Sequence, residues 1–265
     1  MSADPKSTYK FGDSPITAER LQLLAVAFEP SSRAFLAGLQ PRQPQTIADL
    51  GCGPGYTTRM LAELFPSARV RGIDSSGSFI ALAECTPAAS SSFEVADVTQ
   101  PLPGGPYDLI YARYLLTHVT DFRQAIGCWS TRLTHGGAIA IEENQWIETQ
   151  QPAFGEYLTI VSAMLAEDGQ RLFVGAELDA LDNWGSLRKS KSELTSVVLS
   201  QRVAAGLFLP NLQTWRSRPF IRRNYDGTTI ERLEVDLQSL VHDAVDSPAI
   251  TFGLRHIVLR LDHRL

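Results

Sequence analysis

The sequence predicts an α/β fold in which helices cover both faces of a doubly wound, mostly parallel sheet. Two observations indicate this. Between residues 46 and 143, short apolar segments alternate with segments whose apolar residues recur at helical spacing, and the first apolar segment ends in a glycine-rich turn. Strands that are apolar throughout are typical of parallel sheets buried on both faces. A sizeable core is possible because 44% of the 265 residues are hydrophobic and 20% are charged.

The elements before and within the alternating segment follow from local patterns. Residues 1–45 begin with a polar lead, and two helices are then predicted: one with apolar residues from Leu21 to Phe28, and a short one starting at Ser31 or Ser32. Strands are predicted at 46–50, 69–73, 93–96, 107–112 and 138–141. A helix follows the glycine turn, another covers 76–84, and Asp121 caps a third that ends at Gly136 and Gly137.

The regular alternation of strands and helices stops after residue 143. Helices predicted within residues 150–184 form a cap insertion, and 193–200, rich in β-branched residues, is predicted to be a strand. A helix over 203–215 follows, and Thr228 with Glu231 forms a capping box at the start of the next one. A closing strand is expected at 255–261, and one strand near this edge is expected to be antiparallel. Residues 185–265 thus complete the sheet begun in residues 46–149.

Composition and charge argue against several classes of protein. The net charge is −5, which argues against nucleic acid as the main partner. The longest stretch free of Asp, Glu, Lys and Arg has thirteen residues, 203–215, too short to cross a membrane. The N-terminus lacks an apolar signal region, and three widely spaced cysteines have no zinc-ligand spacing. We therefore expect a cytoplasmic protein without a structural metal.

The motif that carries chemistry runs from Ile47 to Tyr56 and reads IADLGCGPGY. Glycines at 51, 53 and 55 allow positive φ and let a ligand approach the backbone, beside the start of a helix. A dinucleotide site would show Gly-x-Gly-x-x-Gly, whereas this turn is Gly-x-Gly-x-Gly. Asp49, two residues before the first glycine, would repel a pyrophosphate and attract a cationic amino-acid group.

Two more carboxylates follow the next strands. Asp74 ends the second strand, where a carboxylate can accept hydrogen bonds from both ribose hydroxyls, and Asp97 ends the third, beside apolar Val98. Ligands of open parallel sheets bind at these strand ends. Each acid alone is also consistent with a helix or turn cap, but together the three predict a cradle for an adenosine that carries an amine.

These motifs resemble the Rossmann-like, class I S-adenosylmethionine-dependent methyltransferases. The resemblance rests on the glycine turn, on Gly72-Ile-Asp74-Ser75, on Ala96-Asp97-Val98, and on 107–119 and 133–137 as the fourth and fifth strand regions. It is strong over residues 46–143 and weak beyond 150, where small-molecule methyltransferases vary. It implies a seven-stranded sheet whose last strand is antiparallel, with S-adenosylmethionine across the strand tips.

The resemblance also implies roles for matching positions. Asp49, Gly51, Gly53 and Gly55, with Tyr56 and Thr57 at the following helix, are expected at the methionine end of the cofactor. Asp74 and Ser75 are expected at the ribose, Asp97 and Val98 at the adenine, and Ala112 and Arg113 beneath the sulfonium.

Fewer residues are candidates for catalysis than for cofactor binding. His118, six residues after Ala112, is a candidate general base, although a histidine bonded to a backbone carbonyl is an equally good interpretation. Glu142 and Glu143 end the fifth strand, and side-chain alternation directs one of them, Glu143 in our assignment, toward the site. Tyr9 lies in the polar lead and is predicted to fold over the cofactor, unless that lead is a disordered tail.

The function predicted from the sequence is methyl transfer to a small organic metabolite, with O-methylation favoured and secondary metabolism as the setting. The alternatives are a non-methylating rearrangement or decarboxylation with the same cofactor, and a non-catalytic adenosylmethionine-binding subunit. A nicotinamide oxidoreductase is only weakly compatible with the glycine pattern. The expected partners are a small-molecule substrate, no nucleic acid and no membrane, and the chain is expected to be a monomer or homodimer.

Overall fold

A computed structural model describes residues 15–39 and 43–261. Within them lies one seven-stranded sheet with the strand order β3-β2-β1-β4-β5-β7-β6. The strands are β1 Thr46–Leu50, β2 Arg69–Asp74, β3 Ser91–Val95, β4 Tyr107–Arg113, β5 Leu133–Thr149, β6 Leu187–Ser200 and β7 Pro248–Leu261. The β1 to β5 pairings are parallel, and β7 is antiparallel to both β5 and β6. The predicted fold class, including its single antiparallel strand, is confirmed.

Helices cover both faces of this sheet and one end of it. They are α1 Pro15–Ala37, α2 Tyr56–Leu64, α3 Gly77–Cys85, α4 Phe122–Ser130, α5 Pro152–Glu167, α6 Gly175–Asp179, α7 Gln201–Trp215, α8 Pro219–Asn224 and α9 Gly227–His242. Alternate residues of β1 and β4 enter different apolar clusters, with Ala48 and Ile110 on one face and Ile47 and Leu109 on the other, as side-chain alternation requires. No helix of the described part of the chain is both long and apolar enough to cross a membrane.

A third apolar cluster joins α1, α5, α7 and α9 to the beginning of β7. The helical cover of the sheet is therefore assembled from three separate stretches of the chain: the N-terminal helix, the β5–β6 connection and the β6–β7 connection. Tyr157 and Phe208 stack at its centre with ring centroids 4.2 Å apart. This arrangement places helices from distant parts of the sequence above the ends of β1, β4 and β5.

Three local predictions were wrong. The N-terminal segment forms one helix through Pro30, rather than two; the carbonyl left without its i+4 donor belongs to Val26, which is 64% exposed, so water can satisfy it. Gly136 does not end a helix but lies inside β5 with φ 79°, where the pairing of β4 with β5 shifts register. The cap of α9 is Asp226, whose carboxylate accepts from the Thr228 amide, in place of the predicted Thr228 box.

Candidate functional site

A cavity of about 580 Å³ opens at the carboxyl ends of β1, β2, β3 and β4. Its floor is the glycine turn, and its roof consists of residues from α1, α5 and α7. The volume lies within the range of about 300–1,000 Å³ usual for ligand sites. One continuous space therefore connects the predicted cofactor residues with the helical cover.

The glycine turn has the backbone conformation that the sequence predicted. Gly51, Gly53 and Gly55 all have positive φ, at 66°, 52° and 79°. Residues other than glycine rarely adopt such values. Gly51 and Gly53 line the cavity. Gly55 does not; it is the N-cap of α2, and a Cβ on it would lie 2.8 Å from the ring of Phe93.

Asp74 joins the end of β2 to this turn. One carboxylate oxygen accepts from the Gly53 amide at 2.9 Å, and the other accepts from the Ser76 amide at 2.8 Å. Asp74 and Ser75 both line the cavity. The carboxylate is thus fixed at the cavity wall by two backbone donors.

Asp49 has a different position from the one predicted. It is 1% exposed and is not among the cavity-lining residues; instead it lies behind the turn, where one of its oxygens accepts from the Thr57 and Thr58 hydroxyls, each at 2.6 Å. Burial raises the pKa of Asp49 to about 6, although the two hydroxyl donors oppose the rise. Its observed role is to tie β1 to the first turn of α2, from which Tyr56 and Thr57 reach the cavity.

The third predicted carboxylate lies at the other end of the cavity. Asp97 is exposed and accepts from the Thr99 amide and hydroxyl, at 2.9 and 2.7 Å. Val98 beside it is 8% exposed, and its carbonyl accepts from the Trp129 indole at 2.7 Å. Asp97 and Val98 both line the cavity, so an acceptor and an apolar surface lie together there.

At the end of β4, only one of the two predicted residues reaches the cavity. Arg113 lines it and donates to the Ser32 hydroxyl at 3.1 Å. Ala112 is fully buried in an apolar cluster, because neighbouring residues of a strand point to opposite faces. The pKa of Arg113 is raised: burial opposes the rise, and the surrounding Tyr111, Glu142 and Asp49 outweigh it.

Of the catalytic candidates within the described residues, His118 alone lies at the cavity. It belongs to a short 3-10 helix, Leu116–His118, and lines the cavity. The prediction that Glu143 faces the site was wrong, since neither Glu142 nor Glu143 lines it. Glu143 instead accepts from the Leu116 amide at 2.6 Å and anchors the loop that carries His118. Tyr9 lies outside the described residues.

Residues 48–141 match the family described as "Methyltransferase domain". The matched segment contains the glycine turn, both cavity-lining aspartates and His118. Over this segment the chain is similar to known methyltransferase domains. The family recognised from the sequence motifs is confirmed.

Curated relatives match about two fifths of the chain. Trans-aconitate 2-methyltransferase from Streptomyces avermitilis is 39% identical over 107 residues, which are 38% of this chain and 40% of the relative. The enzyme of that name from Yersinia pestis is 36% identical over 113 residues, 41% and 42% of the two chains. The chain therefore spans about two fifths of the length of these relatives.

Solved structures resemble the chain over a greater length. A methyltransferase from Anaeromyxobacter dehalogenans superposes with a TM-score of 0.60 and 17% identity, covering 88% of this chain and 97% of that one. The Haemonchus contortus phosphoethanolamine N-methyltransferase 2 superposes with a TM-score of 0.56 and 15% identity, covering 97% and 60%. At this identity the likeness shows that the fold is shared.

Several polar residues line the cavity although the sequence motifs did not indicate them. Among them are Arg20 on α1, Tyr114 after β4, Asn144 on β5 and Asn211 on α7. Tyr114 is the only non-glycine residue with positive φ in the described chain, at 54°. No motif marks Arg20, and Asn144 and Asn211 reach the cavity only through packing between distant segments.

The residues present fit S-adenosylmethionine. Asp74 offers an acceptor for ribose hydroxyls, and Val98 with Phe79 offers an apolar surface for an adenine ring. The glycine turn leaves space for a chain beside its backbone. Arg20 also lines the cavity, and the neighbouring Leu21 lies 3.6 Å from the Cβ position of Gly53, so this cation is close to the turn.

Proposed function

We propose that this protein is a methyltransferase that uses S-adenosylmethionine to methylate a small organic molecule, with oxygen as the favoured acceptor atom. The observation that carries the proposal is the single cavity that joins the glycine turn and Asp74 to His118 beneath a helical cover. A cofactor lying along the strand ends would place its reactive group between the domain and the cover, where an acceptor can also bind.

The adenosine half of the cofactor would be held by Asp74 at the ribose and by Asp97 and Val98 at the adenine. Charge-assisted hydrogen bonds of the kind that Asp74 offers contribute about 1.5–3 kcal/mol each. At the methionine end, the glycine turn would border the chain, and Arg20 would pair with the carboxylate. Arg113 faces Asp49 and Glu142, so its charge is balanced within the protein.

The bound cofactor supplies an electrophilic methyl group on a leaving group that departs as a neutral thioether. The protein's own contribution to such a displacement is mainly orientation and exclusion of water. Where the acceptor atom bears a proton, His118, which lines the same cavity, would receive it, since a neutral imidazole is a general base. The proton then passes to solvent at the mouth of the cavity.

The relatives named trans-aconitate 2-methyltransferase support a small acceptor and methylation at oxygen. Their match covers 38% of this chain and 40% of the relative, so it carries only part of the evidence on the acceptor. The acceptor itself would contact the helical cover. The specific substrate therefore has to be argued from the lining of the cavity.

The proposal is tested with S-adenosylmethionine labelled in its methyl group and an extract of small metabolites. We expect label to enter a low-molecular-weight product, in a ratio of one product to one S-adenosylhomocysteine. Cofactor consumption without labelled product would favour the non-methylating alternative, and cofactor binding without turnover on any fraction would favour a binding subunit.

Arg20 gives the proposal a separate test. Replacing it by methionine keeps the apolar stem and removes the charge, so S-adenosylmethionine affinity should fall about tenfold or more. Arg188→Met, at an exposed position on β6, is the matched control and should bind as the wild type does. Equal affinity in both variants would mean that the methionine carboxylate is held elsewhere.

A further inference from the structure

The cover end of the cavity has a lining of its own. We define it as Tyr114, the cavity residues after Arg20 on α1, and the cavity residues on β5, α5, α7, β7 and the α5–α6 connection. Most of its side chains are apolar or aromatic, among them Phe28, Leu158, Leu207, Phe208 and Phe252. Among the described residues, this set contains no Asp, Glu, Lys or Arg. A ligand there contacts mainly uncharged surface.

Three buried polar atoms at this end have no hydrogen-bond partner among the described residues: the Tyr114 hydroxyl, Asn144 Oδ1 and Asn211 Oδ1. All three residues line the cavity. Buried polar atoms of folded proteins are nearly always paired, so each one needs an explanation. A ligand that supplies O–H or N–H donors to the two amide oxygens would satisfy them.

Two further observations indicate that these groups are held for a ligand. Asn211 donates through Nδ2 to the Tyr157 hydroxyl at 3.0 Å, which fixes its amide and leaves Oδ1 available. Tyr114 is held at φ 54° against Phe28, with ring centroids 5.5 Å apart. Residues in sparsely populated backbone regions cluster at functional sites, where the surrounding structure maintains them.

A carboxylate would be poorly accommodated at the cover end. Burial of an unpaired charge is strongly unfavourable, and neither cavity arginine belongs to this lining. Arg20 is near the glycine turn. The Arg113 guanidinium lies 5.9 Å from the centroid of the Tyr114 ring, but it donates to Ser32 and faces Glu142, so its charge is already balanced. A tricarboxylate would need several cations that this wall does not provide.

We propose that the methyl acceptor is an uncharged aromatic molecule that carries a hydroxyl group; this inference rests on the proposed function. A flat ring packs against Phe28, Phe208 and Phe252, and its O–H can donate to an amide oxygen. A phenolic hydroxyl, with a pKa near 10, is also more easily deprotonated by an imidazole base than an alkyl hydroxyl is. In the reaction the aryl C–O–CH₃ linkage forms and the sulfonium C–S bond breaks, with its electron pair on sulfur. In the bound acceptor the O–H donates to the amide oxygen; as the methyl group is transferred, its proton goes to His118 and then to solvent.

The test compares 2-naphthol, 2-naphthoate and trans-aconitate as probes. The two naphthalene compounds share a ring system and differ in having a neutral hydroxyl or a carboxylate. Binding to the protein saturated with S-adenosylhomocysteine is measured by calorimetry, and transfer of labelled methyl is measured separately. We expect 2-naphthol to bind at least about tenfold more tightly than either carboxylate and to yield the methyl ether.

Two substitutions test whether residues of the cavity wall cause the preference for 2-naphthol. Tyr114→Phe removes one oxygen atom, and Asn211→Leu replaces an amide by an apolar group of similar volume. Each should weaken 2-naphthol binding several-fold while S-adenosylhomocysteine affinity stays within about twofold. The matched control is Tyr225→Phe, on a residue that does not line the cavity, and it should leave both affinities unchanged.

The outcomes separate this inference from the function on which it rests. If S-adenosylhomocysteine binds but a carboxylate probe is preferred, or none of the three probes binds, the proposal of an aromatic acceptor is wrong and the methyltransferase proposal stands. If 2-naphthol binds with the same affinity to the wild type and both cavity variants, the assignment of Tyr114 and Asn211 to acceptor binding is wrong. If S-adenosylhomocysteine itself does not bind, the proposed function fails.

Discussion

Glu143 gives a prediction whose magnitude follows from its surroundings. It is fully buried on β5, and its carboxyl accepts from the Leu116 amide at 2.6 Å and the Thr117 hydroxyl at 3.3 Å. Burial raises its pKa from 4.5 to about 8; the hydrogen bonds oppose this rise, and the neighbouring charge of Glu142 adds to it. The folded protein therefore keeps a proton on this group at pH values where the unfolded chain has lost it.

The sign of the pH dependence follows from that difference. A raised pKa in the folded state means that the stability is fully present below pH 4.5 and is lost progressively as the pH rises toward 8. Glu143→Gln has nearly the same shape, can still accept from Leu116, and does not titrate. Between pH 5 and pH 7 the wild type should lose on the order of 1 kcal/mol per pH unit relative to this variant, or roughly 2–3 kcal/mol in all.

The measurement is urea unfolding of both proteins at pH 5, 6 and 7, followed by circular dichroism and by tryptophan fluorescence. The relevant quantity is the difference in unfolding free energy between the variant and the wild type. Contributions from other titrating groups, including Asp49, cancel in that difference when the two proteins share a fold. Parallel pH curves would refute the reasoning, because they would show that Glu143 ionises normally when folded.

Three further predictions concern the glycine turn and the cavity. Gly55→Ala should destabilise the protein by at least about 1–2 kcal/mol, because it places a Cβ at φ 79° and 2.8 Å from Phe93. Gly227→Ala, where nothing lies within 4 Å, is the control in thermal unfolding, and equal Tm values for the two would contradict the strain argument. Asp74→Asn should weaken S-adenosylmethionine binding by about 1.5–3 kcal/mol, which calorimetry would contradict by finding the wild-type Kd. His118→Gln should lower kcat about 100-fold or more with cofactor affinity unchanged, and wild-type turnover would remove it from the mechanism.

The sheet could be predicted from the sequence because its determinants are local. Short apolar runs, the glycine turn and the N-cap at Asp121 each lie within a few residues of the element that they specify, and the structure contains them. The length of β5 was underestimated because its beginning includes Gly136. Two consecutive glycines favour a loop on propensity alone, whereas pairing with β4 makes one of them a bulge residue.

The candidate site was only partly predictable, for a physical reason. Motif spacing places Asp74 and Asp97 at strand ends, but it cannot show whether a carboxylate faces the cavity or the protein interior. Asp49 illustrates this, since one of its oxygens accepts from two hydroxyls of α2 and the residue does not line the cavity.

The cover was harder still to predict. Asn144 and Asn211 lie on β5 and α7, far apart in sequence, and the packing of α1, α5 and α7 brings both to one wall. No short-range pattern encodes that proximity. Strand alternation also predicts that Glu142 and Glu143 point to opposite faces of the sheet. It could not show that Glu142 accepts from the Tyr111 and Ser32 hydroxyls, or that Glu143 accepts from an amide in the loop that carries His118.

The central claim, that the cavity at the strand ends is an adenosylmethionine site, is tested most directly by calorimetric titration of the protein with S-adenosylmethionine, and with NAD as the competing ligand. We predict saturable binding of one S-adenosylmethionine per chain and no measurable binding of NAD at the same concentration. Binding of NAD at sub-millimolar concentration without binding of S-adenosylmethionine would contradict the account.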